Sequence, residues 1–203
     1  MANDIMSIEV KGADIRTLAN ELKDLPGDPV FKAFRAVLSK ALVAGRTIAI
    51  KQYRTVYPAA PAPLLRSLIR TRMVIRAPNV DGISAALSIE NKDLGLSNLK
   101  PEIRKGKGGG VQYIGRGGSF VFIQGAFKAK MPNNKQPHFW IRQGRERFPV
   151  TYLRDAGSSP ANVLKEGSSI AAIQARMFES VNTNLGPTIE RYIKRSLDTA
   201  FKT

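Results

Sequence analysis

No cysteine occurs in this chain of 203 residues. That excludes disulfides, thiolate metal sites and cysteine nucleophiles together, and it fits a reducing compartment. Histidine occurs once, at His138, so no histidine-rich metal site forms within one subunit. A Ser-His-Asp triad would need a placed nucleophile, yet the Gly-x-Ser-x-Gly motif is absent. His138 opens an apolar run, and a structural role is expected of it. No apolar run approaches the roughly 18 residues of a membrane helix. The first residues, MANDIMSIEV, carry Asp4 and Glu9 where a signal peptide wants positive charge. The expectation is a protein made in the cytoplasm, soluble, with no membrane contact.

Other chemistry is equally thin. The acidic residues form no paired Asp/Glu motif of hydrolase or nuclease type. Glu146, between Arg145 and Arg147, reads as a solvated turn charge. Gly106–Gly110 and Gly115–Gly118 invite a phosphate-loop reading, but Gly-x4-Gly-Lys-Ser/Thr is missing and neither run opens a helix. A flexible loop is the preferred reading. The chain is therefore expected to be no enzyme, with no metal and no cofactor.

What the chain has is positive charge. Lysine and arginine number 32 against 16 acidic residues, a net charge of +16. Such a balance attracts polyanions or acidic protein surfaces. The excess is concentrated in the middle. Residues 1–31 hold 3 basic and 6 acidic side chains, whereas residues 100–147 hold 11 and 2. The acidic head is a candidate contact for the basic middle of a neighbouring copy.

Apolar residues make up 43% of the chain, enough for a real core. Residues 14–25 read as a short helix ended by Pro26-Gly27. A second helix starts near Asp28-Pro29 and runs to about Val56, before Pro58, Pro61 and Pro63. Its apolar residues Phe34, Val37, Leu38, Ala41, Leu42, Ile48, Ala49 and Val56 share one face. Lys32, Arg35, Lys40, Arg46, Lys51 and Arg54 fall opposite. That back is either solvated or an electrostatic contact surface. Leu64–Arg70 suggests one or two helical turns.

Strands are expected over 72–77, 83–90, 111–115, 119–127, 138–142 and 149–153. Residues 91–110 read as a long connection. Residues 161–184 read as a helix broken by Gly186-Pro187, and 188–202 as a last helix. Val163, Ile170, Ile173, Met177 and Val181 are candidate buried positions in the first, and Ile189, Ile193, Leu197, Ala200 and Phe201 lie on or near one face of the second. The expected class is α+β: an antiparallel sheet or small barrel, flanked by N-terminal helices and long C-terminal helices. The expected divisions are an acidic arm over 1–27, a core over 28–160 and a helical extension over 161–203.

The functional candidate is the basic middle. Lys100, Arg104, Lys105, Lys107, Arg116, Lys128, Lys130, Lys135, Arg142, Arg145 and Arg147 lie among strands and turns. They suit a DNA-facing or acidic-partner surface, strong in sum and blind to base sequence. The interleaved Phe120, Phe122, Phe127, Phe139 and Trp140 offer either base stacking or, more commonly for strand aromatics, a core or subunit interface. No RNP1-like motif and no zinc-finger spacing occurs.

An ordered set of blocks adds a resemblance. Gly110-Val-Gln-Tyr113 is followed by Gly118, then Phe122-Ile-Gln-Gly125-Ala126-Phe127, then Phe139-Trp140-Ile141-Arg142-Gln-Gly-Arg145-Glu-Arg147-Phe-Pro149-Val150. Together they resemble the minor tail protein Z family, the tail-completion proteins of lambda-like phages. That family pairs a Gly-Ala-Phe strand with a strand ending in an Arg-x-Gly-x-x-Arg-x-Pro-Ile block, after a basic helix with a tyrosine near its end, like Arg46–Tyr57. The likeness covers about 33–165. Leu153–Pro160 stands where the family has a Gly-Pro-Ser turn.

The resemblance implies a structural virion protein at the head–tail junction, in the neck ring stack through which DNA passes. It implies a homo-oligomeric ring, expected to be six-fold. Its partners would be the tail tube or tail terminator protein, head-completion or connector proteins, and genomic DNA held non-specifically. Gly125, Ala126, Phe127, Phe139, Trp140, Ile141 and Pro149 would be motif positions in its core or interface. The alternative is a non-specific nucleic-acid-binding protein acting through the basic surface.

Overall fold

The computed structural model describes residues 5–10, 29–75, 83–106, 108–131, 136–144, 149–166 and 169–200. The expected helix over 14–25 lies outside them. Nine strands and four α-helices occur among the described residues. In chain order they are β1 (Ile5–Val10), α1 (Pro29–Val56), α2 (Ala62–Leu68), β2 (Ile69–Ile75), β3 (Ile83–Glu90), β4 (Glu102–Arg104), β5 (Gly110–Ile114), β6 (Phe120–Gln124), β7 (Phe127–Ala129), β8 (His138–Arg142), β9 (Val150–Tyr152), α3 (Pro160–Lys165) and α4 (Ser169–Ala200). The class is α+β. The strands form three open three-stranded sheets, ordered β1-β3-β2, β4-β5-β6 and β7-β8-β9. Among the described residues no sheet closes into a barrel, so the sheet form of the expectation holds.

Contacts divide the described residues into two units. One draws on 6–49, 69–89 and 169–200; the other on 50–68 and 90–166.

In the first unit, α1 buries the stripe that its periodicity predicts. Phe34, Val37, Leu38, Ala41, Leu42 and Ala49 are buried, while Lys32, Arg35 and Lys40 are exposed. Ile48 is only half-buried. β3 pairs antiparallel with β2, Thr71 opposite Leu87 and Met73 opposite Ala85. Ala85, Leu87 and Ile89 are buried, as their alternation demands. Gly45 sits where a Cβ would meet Met177 and Leu87, so its missing side chain permits close approach of helix and sheet. α4 buries Ile173, Met177, Thr188 and Ile189.

α4 corrects the expected break at Gly186-Pro187, because the helix runs through both residues. Proline removes one amide donor, and its ring normally clashes with the Cβ of the residue before it. Gly186 has no Cβ, so the helical conformation stays open to it. Burial of Thr188 and Ile189 just beyond then favours continuation. Of the residues expected on or near one face of the last helix, Ile189 is buried and Leu197 is exposed. The fold also contains two strands that the sequence reading did not identify: β1, in which Met6, Ile8 and Val10 alternate with Ser7 and Glu9, and β4, whose three residues are all exposed.

In the second unit, the expected strand over 119–127 is two strands in two sheets. Gly125 adopts φ +73° between β6 and β7, and that left-handed turn ends one ladder and starts the next. β5 pairs with β4 and β6, burying Val111 and Tyr113. α3 is capped by Ser159, whose Oγ accepts from the Asn162 amide at 3.2 Å, with Pro160 in the first turn.

Candidate basic surface

Seven of the predicted cations project from strands and turns of the second unit. Arg104 ends β4 and Lys105 follows it; both are exposed. Lys128 and Lys130 are exposed at and after β7, and Arg142 at the end of β8. Lys100 is exposed with φ +49°, an uncommon value for a residue with a side chain. Arg116 is exposed but engaged, because its guanidinium forms a bidentate pair with Glu166. Lys107, Lys135, Arg145 and Arg147 lie outside the described residues.

Two of the cations are tied to aromatic rings in the sheet β7-β8-β9. Phe127 stands opposite Trp140, and Trp140 opposite Tyr152, so the three rings share one face. The Arg142 guanidinium lies 5.3 Å from the Phe127 ring centre, and Lys128 Nζ lies 5.8 Å from that of Phe139 on the other face. Phe139 is buried, and Trp140 and Ile141 are half-buried. Trp140 Nε1 donates to the Ala129 carbonyl at 3.1 Å. Ala126 is buried, whereas Gly125 and Pro149 are exposed. These contacts make the aromatics of this sheet a packed layer with cations laid over it.

The aromatics of β6 differ. Phe120 is 70% and Phe122 46% exposed, on the same face because they are two residues apart. The cross-strand row of Phe122 runs through Gln112 to Glu102. A carboxylate in that row opposes a phosphate track, so the pair is no match for the backbone of a nucleic acid.

A polar clasp holds the segment 153–160 in place. Tyr53 Oη donates to the Ser158 carbonyl at 2.6 Å, and Tyr113 Oη donates to Asp155 Oδ1 at 2.9 Å. The Leu94 amide donates to Ser158 Oγ at 2.8 Å, and the Ser159 amide to Asp93 Oδ1 at 3.0 Å. Tyr53 and Tyr57 stack one helical turn apart, with ring centres 5.4 Å apart. Burial raises the Tyr53 phenol far above its usual value and raises Tyr113 as well, with Asp155 adding to both. Burial and the Asp155 carboxylate push Tyr57 up to about 12. All three stay neutral through the ordinary pH range, which suits hydrogen-bond donors of a structural clasp.

Sequence reasoning missed the role of Tyr53 and Tyr57, because a tyrosine at the end of a basic helix carries no local mark of its distant partner. It also missed Lys92, Asn98, Tyr152 and Arg154, which meet beside His138 and Trp140 around a cavity of the second unit. Among the described residues, no group of three or more His, Cys, Asp or Glu side chains is placed to hold a metal ion. No helix of these residues is long and apolar enough to cross a membrane. Compared with protein-family models, curated proteins and solved structures, the chain matches none.

Proposed function

We propose that this protein is a structural component of a phage particle that completes the head-proximal end of the tail, within the ring stack through which the genome leaves. One observation carries the reading. The two blocks that resemble the tail-completion family, Gly125-Ala126-Phe127 and Phe139-Trp140-Ile141-Arg142, are neighbours in space as well as in order, with Phe127 opposite Trp140. The excess charge of +16 suits a ring around DNA, since attraction without base reading permits sliding. The protein acts without catalysis, as one subunit of a closed ring expected to be six-fold. Its neighbours are the tail tube or terminator on one side and a head-completion or connector protein on the other. It is made in the host cytoplasm and resides in the virion.

Immunogold labelling of particles carrying a tag on Thr203 tests this. Label at the head–tail junction is the expected result. Absence of the protein from particles, with the tag accessible on blots, overturns it. A second reading, a free nucleic-acid binder, is favoured by the exposed cations Arg104, Lys105 and Lys130. It requires submicromolar DNA binding by the isolated monomer, lost steeply as salt rises. Binding that persists at high salt would eliminate that purely electrostatic form.

A further inference from the structure

The second unit contains a cavity of about 480 Å³, inside the range of small-molecule sites, roughly 300–1,000 Å³. It has two unlike walls. Leu64 and Leu68, one turn apart on α2, line it with Leu94 and make it apolar. His138, Trp140 and Tyr152 line it from the sheet β7-β8-β9 and make it aromatic. The register puts these three side chains on one face: Trp140 is opposite Tyr152, and His138 is two residues before Trp140. An aromatic wall and an aliphatic wall form a slot for a flat ring.

The aromatic wall is fixed before any ligand arrives. Trp140 is held by its bond to the Ala129 carbonyl. Tyr152 packs edge-on to His138 at 5.3 Å and tilted to Trp140 at 5.5 Å between ring centres. The Tyr152 hydroxyl lies so close over Gly95 that no Cβ fits there. Side chains already held cost little further entropy on binding.

The polar lining supplies the rest. Lys92 and Arg154 are exposed and line the cavity. Among the described residues neither pairs with a carboxylate, although the Arg154 guanidinium rests 5.2 Å from the Tyr152 ring centre. Two cations match a phosphate better than a single carboxylate charge. Asn98 lines the cavity with an amide that both donates and accepts. Asp93 lines it too, held through Oδ1 by the Ser159 amide, and a carboxylate accepts from an exocyclic amine. Ring slot, paired cations and mixed donors and acceptors are the parts that a nucleotide needs.

We propose that this cavity binds a nucleoside monophosphate, with the base between the leucine and aromatic walls and the phosphate on Lys92 and Arg154. The slot lies wholly within one unit of one chain, so its occupancy does not depend on whether the protein completes a tail.

Trp140 is the chain's single tryptophan, so its fluorescence reports the slot alone. The full chain is titrated with AMP at physiological salt. A saturable change is expected, with adenosine and ribose 5-phosphate each at least about tenfold weaker. Isothermal calorimetry on the double variant Lys92→Gln/Arg154→Gln is expected to show at least about tenfold weaker AMP binding with an unchanged circular dichroism spectrum. No saturable signal up to about 10 mM AMP overturns the proposal. So does equal response to ribose 5-phosphate, which would mean attraction to the general charge, or equal binding of adenosine, which would remove the phosphate from recognition. Binding of 3-phenylpropionate as tight as AMP would overturn the nucleotide assignment and leave an aromatic-carboxylate slot. If the double variant fails to fold, the comparison of AMP with its ring-only and phosphate-only parts decides the matter on the unaltered chain.

Discussion

Gly45 of α1 and Met177 of α4 are in such close approach that a Cβ at position 45 would lie 2.6 Å from Met177 Cγ and 3.0 Å from Leu87 Cδ1. A glycine inside a helix normally costs about 1 kcal/mol relative to alanine. Here the absent side chain is what lets Met177 bury fully beside Leu87. Gly45→Val should therefore destabilise the protein by about 1–3 kcal/mol through overpacking. Adding Met177→Ala should recover part of that loss, because the two sites share one contact. Urea denaturation of the single and double variants measures both. Strictly additive losses would show that the two residues do not meet.

Tyr53 ties α1 to the segment before α3 through one buried bond, Oη to the Ser158 carbonyl at 2.6 Å. Tyr53→Phe keeps the ring and its stacking on Tyr57 but leaves that carbonyl without its donor. The expected loss is about 1–3 kcal/mol, the cost of a buried acceptor left unsatisfied. Hydrogen exchange adds a local readout: the Leu94 amide, which bonds Ser158 Oγ, should lose protection. An unchanged midpoint and unchanged protection would remove Tyr53 from the clasp.

Alkaline pH should act on the same clasp. Tyr57 has a folded value of about 12 against an ordinary 10.0, and Tyr53 and Tyr113 are raised further. Their neutral forms are favoured by the fold. Above about pH 10 the unfolded chain gives up these protons while the folded chain keeps them, so stability falls as pH rises. Well below pH 10 their contribution is fully present. Denaturation at about pH 7, 8.5 and 11 should show a constant midpoint over the first step and a drop over the second. Tyrosinate absorbance of the folded chain should rise in separate stages. One step near pH 10 involving all five tyrosines would contradict the burial argument.

Elements that carry their own periodicity were legible in the sequence. α1 begins at Pro29 and ends at Val56, bounded by a first-turn proline and a proline cluster. β3 occupies the alternating run Ile83–Glu90. β4 was not legible: its three residues are all exposed, so no burial pattern marks them. The single apolar stretch over 119–127 concealed two strands, because Gly125 turns the chain without interrupting the hydrophobic run. The exposure of Arg104, Lys105, Lys128, Lys130 and Arg142 is what their charge leads one to expect. The cavity was not legible. Lys92, Asn98, Trp140 and Arg154 meet only because β8 and β9 pair and Gly95 forms a bridge with Arg154, and no local spacing encodes that meeting.

Pro187 offers a test of the one helix that the sequence pattern divides. α4 passes from Ser169 to Ala200 with Gly186 and Pro187 inside it. Both residues are exposed, and beyond its chain neighbours and the helix's own backbone nothing lies within 4 Å of a Cβ placed at Gly186. In a continuous helix, Gly186→Ala alone should lower stability, because its Cβ would meet the Pro187 ring. Pro187→Ala should add up to about 3 kcal/mol by restoring an amide donor and removing the ring clash. That gain should appear as a higher thermal midpoint and a stronger helical circular dichroism signal. If the chain instead turned at these residues, as the Gly-Pro pair suggests in isolation, glycine and proline would be the favoured occupants. Pro187→Ala would then lower the midpoint, and the single 32-residue helix would have to be redrawn as two.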